Sequence, residues 1–122
     1  MNGEDIIQIL NRNIESRRKQ DKIEATGHLV LLRNITINQS FKAYKTYEAT
    51  VYFVSKRKKY KVLNCSLTAK VLEGQEEKMK EDMDIHLIDN IFNFIQTEYY
   101  NQIIRGEYYG GADTEWDYYT YK

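Results

Sequence analysis

The stretch YKTYEATVYFVSKRKKYKVLNCSLTAKVL, residues 44–72, decides the fold of this 122-residue chain. On both sides of the basic run at 56–59, apolar and polar residues alternate with a period of two, which is typical of strands that bury one face. We therefore predict a strand at 44–55, a basic turn and a strand at 60–72. The residues predicted to face inward are Tyr47, Ala49, Val51 and Phe53 in the first strand, and Leu63, Cys65, Leu67, Ala69 and Val71 in the second.

Two further elements are predicted upstream of this hairpin. Residues 28–37 alternate in the same way and predict another strand. Residues 3–19 carry apolar side chains at three- and four-residue spacing, which predicts an amphipathic helix that begins after a capping Asn2. The apolar face of this helix is Ile6, Ile7, Leu10 and Ile14.

Downstream of the hairpin, an acidic connector at 73–84 is predicted to lead into a second helix that starts at Ile85 and stops near Gly106. Nothing in residues 75–84 opposes a helix, which leaves Gln75 as an alternative start. A short strand at 115–121 follows. We predict that the helix packs on the sheet through Ile88, Phe92 and Ile95, within an apolar face that also includes Ile85, Ile91, Tyr99 and Ile103.

These elements predict one α+β domain over residues 1–122. Its antiparallel sheet has three to four strands, two helices pack on the sheet, and the order is α-β-β-β-α-β. Residues 107–122 form an acidic, tyrosine-rich C-terminal segment of this domain.

Charge is sorted along the chain, although the net charge is zero. Residues 1–24 are balanced, residues 25–72 carry nine Lys/Arg and one acid, and residues 73–122 carry four Lys/Arg and twelve acids. Such asymmetry indicates interaction with partners rather than a particular fold.

Signatures of catalysis are absent from the sequence, so we predict no enzyme, cofactor or metal. Phosphate-loop, dinucleotide-binding and nucleophile-elbow motifs do not occur. His28, Cys65 and His86 are isolated, which favours ordinary packed or edge residues over a metal or catalytic site. Alternating carboxylates at 113–117 leave a weak cation site open beside a solvated face. The single cysteine favours a reducing compartment, and no apolar run is long enough to cross a membrane.

The basic hairpin is the first candidate partner site, and it consists of Lys56, Arg57, Lys58, Lys59 and Lys61. Its cations contact another subunit or nucleic acid in this hypothesis, with Tyr52 and Tyr60 beside them as a stacking surface. The alternative is a solvated turn between strands.

The acidic aromatic tail is the second candidate site. Tyrosine and tryptophan commonly anchor protein–protein contacts, and here they are interleaved with carboxylates. The alternative is that this segment completes the sheet of its own chain. The tail residues predicted to bind a partner are Tyr108, Tyr109, Glu115, Trp116, Asp117, Tyr118, Tyr119 and Tyr121.

The element order and the texture of residues 5–18, 46–54, 85–104 and 116–121 resemble the tail-terminator and tail-completion (head–tail connector) proteins of tailed bacteriophages. The strand at 60–72 departs from that order, because it stands where the family passes directly to the helix. The resemblance implies a non-enzymatic structural subunit of the virion, assembled in the host cytoplasm. Its partners are then other copies in a ring and neighbouring virion proteins, with nucleic acid a less favoured partner and no membrane.

Two other functions compete with this interpretation. Acidic aromatic segments on small α/β domains also look like those of phage anti-restriction and anti-CRISPR proteins, which mimic nucleic acid in the host cytoplasm. The basic residues of 25–72 count against a pure mimic. A nucleic-acid-binding accessory protein would use the basic hairpin, but the acidic half of the chain opposes that function.

Overall fold

The structure is a computed structural model that describes residues 2–37, 44–70, 75–110 and 117–121. The α+β class and the antiparallel hairpins of the prediction are confirmed. The chain adds a third helix, because the predicted second helical span is divided in two. Its elements are α1 (Gly3–Gln20), β1 (His28–Ile37), β2 (Tyr44–Ser55), β3 (Lys58–Lys70), α2 (Glu76–Phe94), α3 (Glu98–Arg105) and β4 (Asp117–Tyr121).

The four strands form one sheet in the order β1-β2-β3-β4. β1 pairs antiparallel with β2, and β2 pairs antiparallel with β3, with Leu31 opposite Val51 and Ala49 opposite Cys65. β4 instead pairs parallel with β3, so the prediction of an antiparallel sheet is wrong for this strand. The reason is the connection: α2 and α3 return the chain to the end of the sheet where β3 began, as a parallel neighbour requires.

A register shift between Val51 and Tyr52 interrupts the regular pairing of β2 with β3. As a result Val62 and Leu63, which are neighbours in sequence, are both buried. Such bulges sharpen the local twist of a strand and redirect its side chains. Strict alternation therefore holds in β3 from Leu63 onward but not in the residues that lead out of the turn.

All three helices cover the same face of the sheet. α1 begins after the predicted cap Asn2, which forms a capping box with Asp5. It buries Ile7, Leu10 and Ile14 against the sheet, together with residues of β2 and β3 in one apolar core. The opposite face of the sheet is open in the described ranges: its residues, among them Val30, Leu32, Tyr52, Val54 and Thr68, are half-buried or exposed.

The packing face of α2 differs from the predicted one. The helix begins at Glu76, inside the predicted acidic connector, and it buries a stripe at four-residue spacing. Ile85 and Phe92 are 57 % and 55 % exposed, so their predicted packing on the sheet is wrong. Ile88 and Ile95 are only half-buried. Within α2, Ile91 of the predicted face is buried, in a stripe that otherwise consists of Met79, Met83, Leu87 and Phe94.

The different face has a physical cause. The apolar spacing used for the prediction runs from Ile85 to Ile103, but the helix ends at Phe94 and a new helix begins at Glu98. Two separate helices need not share one continuous face, so Ile95, Tyr99 and Ile103, which lie beyond Phe94, gave no real support to a face chosen for α2. Met79 and Met83, in the segment predicted to be an acidic connector, mark the side of α2 that is buried.

Candidate interaction site at the basic hairpin

The turn between β2 and β3 has only two central residues, Lys56 and Arg57, because Ser55 pairs directly with Lys58. Their φ angles are 50° and 65°, so both residues lie in the left-handed region. A two-residue hairpin turn with positive φ at both positions is the type for which Asn-Gly is favoured. Residues with ordinary side chains adopt this conformation at a cost of roughly 1–2 kcal/mol each. The turn therefore holds two basic side chains where folding alone favours other residues.

The cations of the turn are accessible. Lys56, Arg57, Lys58 and Lys59 are exposed, and Lys61 is half-buried. Within the described part of the chain, residues 56–59 form no ion pair with a carboxylate. The ammonium of Lys59 instead lies over the ring of Tyr52, 4.5 Å from its centroid, in a cation–π contact. The turn is thus a patch of exposed positive charge.

The structure brings one residue of the predicted tail to the hairpin. Tyr109 packs edge-on against Tyr60, with ring centroids 6.1 Å apart, and it remains 69 % exposed. Both tyrosines line a pocket beside Lys56 and Lys58. An exposed tyrosine next to cations has the composition of a protein-binding anchor. Neither sequence separation nor periodicity links residues 56–60 to residue 109, so the sequence alone predicts two separate sites.

Tyr108 has a different role from the predicted one. It is 1 % exposed, and its hydroxyl donates a hydrogen bond to the Lys61 carbonyl oxygen at 2.8 Å. Its ring contacts those of Phe53 and Tyr99 edge-on, at centroid distances of 6.2 and 6.3 Å. The prediction that Tyr108 binds a partner is therefore wrong. The Tyr108 side chain connects the hairpin to the core, whereas the adjacent Tyr109 is exposed.

The rest of the acidic aromatic tail is described only in part. Glu115 and Trp116 lie outside the described residues, as does Asp113 of the alternative cation site. Asp117, Tyr118, Tyr119 and Tyr121 lie in β4, where Tyr119 pairs with Cys65 and Tyr121 with Leu67. This backbone is part of the sheet, which corresponds to the alternative that the segment completes the sheet of its own chain.

The residues that the sequence offers for metal binding or catalysis lie outside the basic hairpin. These ranges contain no group of three or more His, Cys, Asp or Glu side chains that could hold a metal ion. Cys65 is buried, and its sulfur accepts a hydrogen bond from Asn90 Nδ2 at 2.9 Å. No described helix is both long and apolar enough to span a bilayer.

Comparisons with protein-family models, curated proteins and solved structures found no match.

Proposed function

We propose that the protein is a non-enzymatic assembly subunit that joins copies of itself head to tail, in the manner of the phage tail-terminator and tail-completion proteins that its sequence resembles. The observation that carries this proposal is the basic hairpin: it has four exposed cations, and two of them form a two-residue turn in the left-handed region. In a virion, the same surface would contact neighbouring proteins of the head–tail junction after assembly in the host cytoplasm.

The turn supports a binding role because its residues do not serve stability. Backbone strain persists where function requires a particular side chain, and an outlier of this kind supports a hypothesis of function. Lys56 and Arg57 also place two like charges side by side with no carboxylate to pair with them in the described ranges. An acidic surface of another molecule that covers the turn relieves the repulsion between the two cations, whereas the backbone strain remains.

The distribution of charge favours a head-to-tail arrangement. At the far end of the same hairpin, Lys45 forms an ion pair with Glu76 at the start of α2. Ser55 lies ten residues along β2 from Lys45, or about 33 Å at the rise of an extended strand. The basic turn and the acidic start of α2 are thus at opposite ends of the molecule. A contact between unlike surfaces is heterologous, and it closes into a ring when the rotation permits.

Nucleic acid is the less favoured partner of this surface. Single-stranded nucleic acid is bound by cations beside flat, accessible aromatic rings. Lys59 lies over the ring of Tyr52, and a base would have to displace it before stacking there. Tyr60 already contacts Tyr109. These contacts suit a protein surface, which needs the cations and an exposed tyrosine edge rather than open ring faces.

Replacing the turn with Lys56→Asn and Arg57→Gly should separate stability from function. The variant removes strain and two charges, so we expect the free energy of unfolding to rise by about 1–2 kcal/mol while self-association weakens. Urea denaturation measures the first effect, and light scattering at low salt measures the second.

Arg12→Gln with Lys19→Gln is the matched control, because it removes two exposed cations from α1. This control should leave self-association unchanged. If the turn variant were more stable and still associated like the wild-type chain, the basic hairpin would not be the contact surface.

A further inference from the structure

We infer that the outer face of α2, formed by Glu81, Ile85, Asp89 and Phe92, receives the basic hairpin of a second copy of this chain. The inference rests on the proposed function and names the partner surface that a head-to-tail contact requires. The four residues recur at spacings of four, four and three, which places them on one side of the helix. All four are exposed.

The apolar part of this face is unusual for a solvent-facing side of a helix. Ile85 and Phe92 lie two turns apart, and the half-buried Ile88 lies beside them. A single exposed apolar side chain is ordinary, but several together form a patch of the kind that meets a partner. Two cations of the hairpin, Lys56 and Lys58, line one pocket with the exposed Tyr109, which offers an apolar counterpart to this patch.

The carboxylates on the outer face of α2 favour a basic partner surface. Glu81 and Asp89 flank Ile85 along the helix, and neither forms an ion pair with another described residue. By contrast, the carboxylate of Asp84, on the buried side, pairs with Arg33 at 2.5 Å. Lys78 is the basic residue in the first turns of the same side, and Asp82 is a further acid beside it. The face thus combines carboxylates with apolar surface, while the hairpin combines cations with apolar surface.

These two surfaces cannot meet within one copy. α2 buries Met83 and Leu87 toward the sheet, so its opposite side, which carries Ile85 and Phe92, points away from the sheet. The basic turn belongs to the end of that sheet. Charge complementarity is therefore satisfied between copies, where it also steers the encounter and sets the orientation.

Charge reversal on each surface tests the pairing. We would compare Arg57→Glu with Lys58→Glu on the hairpin, and Glu81→Lys with Asp89→Lys on α2, by the self-association constant at low salt. Each double variant alone should associate at least about tenfold more weakly, because like charges then face each other. An equimolar mixture of the two should regain association, since each reversed surface meets its reversed partner and the unreversed surfaces still match.

The outcomes distinguish the inference from the function on which it rests. Weaker association of the hairpin variant, with the α2 variant unchanged and no gain on mixing, would mean that the hairpin docks elsewhere and would overturn the inference alone. If both double variants associated as strongly as the wild-type chain, this inference and the proposed hairpin contact would both be contradicted. Arg12→Glu with Lys19→Glu is the matched control on α1, and it should associate like the wild-type chain.

Discussion

Phe94→Ala should lower the free energy of unfolding by about 3–5 kcal/mol, whereas Phe92→Ala should lower it by less than about 1 kcal/mol. The two residues have the same side chain and stand in the last turn of the same helix. Phe94 is 1 % exposed and packs edge-on against Tyr100 at 6.0 Å between ring centroids, whereas Phe92 faces solvent. Urea denaturation followed by circular dichroism measures both values.

This pair tests the orientation of α2 directly. The truncation of Phe94 removes a large ring from the core and leaves a cavity, while that of Phe92 removes a ring that water already reaches. Leu87→Ala, on the buried side, should lower the free energy of unfolding substantially, as Phe94→Ala does. Ile85→Ala, on the outer side, should lower it little, as Phe92→Ala does. A larger loss from Phe92 than from Phe94 would mean that the opposite side of α2 covers the sheet.

Arg18→Met should cost about 3 kcal/mol or more of folding stability. The Arg18 side chain is 6 % exposed at the end of α1, where burial lowers its pKa, although arginine remains charged at neutral pH. It donates hydrogen bonds from Nε to the Ile104 carbonyl at 2.8 Å, from Nη2 to the Ile103 carbonyl at 2.7 Å and from Nη1 to the Gly27 carbonyl at 2.9 Å. One guanidinium thus joins α1, the end of α3 and the entry to β1.

The conservative variant sharpens this test. Arg18→Lys keeps the charge but supplies a compact donor in place of a planar fork, so it should recover only part of the lost stability. Arg17→Met is the matched control, because Arg17 is half exposed and its pairing with Asp21 is a surface contact worth less than about 1 kcal/mol. Equal losses from Arg17→Met and Arg18→Met in urea denaturation would contradict the role of Arg18.

Local sequence patterns predicted the strands of the hairpin and the start of the first helix. Alternation predicted β2 and β3, and the capping residue Asn2 predicted the start of α1. The direction of β4 could not be predicted, because a period of two is the same in parallel and antiparallel strands. The phase of α2 was missed because Met79 and Met83 lie among acids, and because the boundary at Thr97 was not recognised as a helix start.

The candidate site was predicted only in part, because local sequence patterns identify the basic turn but not the residue that packs beside it. The basic turn is continuous in sequence, so its composition identified it. Tyr108 and Tyr109 are neighbours in an irregular segment, where no periodicity tells which side chain is buried. Only the fold, which puts Tyr108 under Lys61 and leaves Tyr109 beside Tyr60, separates the core residue from the surface residue.

The molar mass in solution, measured by size-exclusion chromatography with light scattering at low and high salt, tests the central claim most directly. We predict a multiple of the 14.6 kDa chain mass at low salt and high protein concentration. At high salt the mass should fall toward that of a single chain, because screening weakens contacts between exposed charges. A mass of 14.6 kDa at every salt and protein concentration would contradict head-to-tail assembly through the basic hairpin.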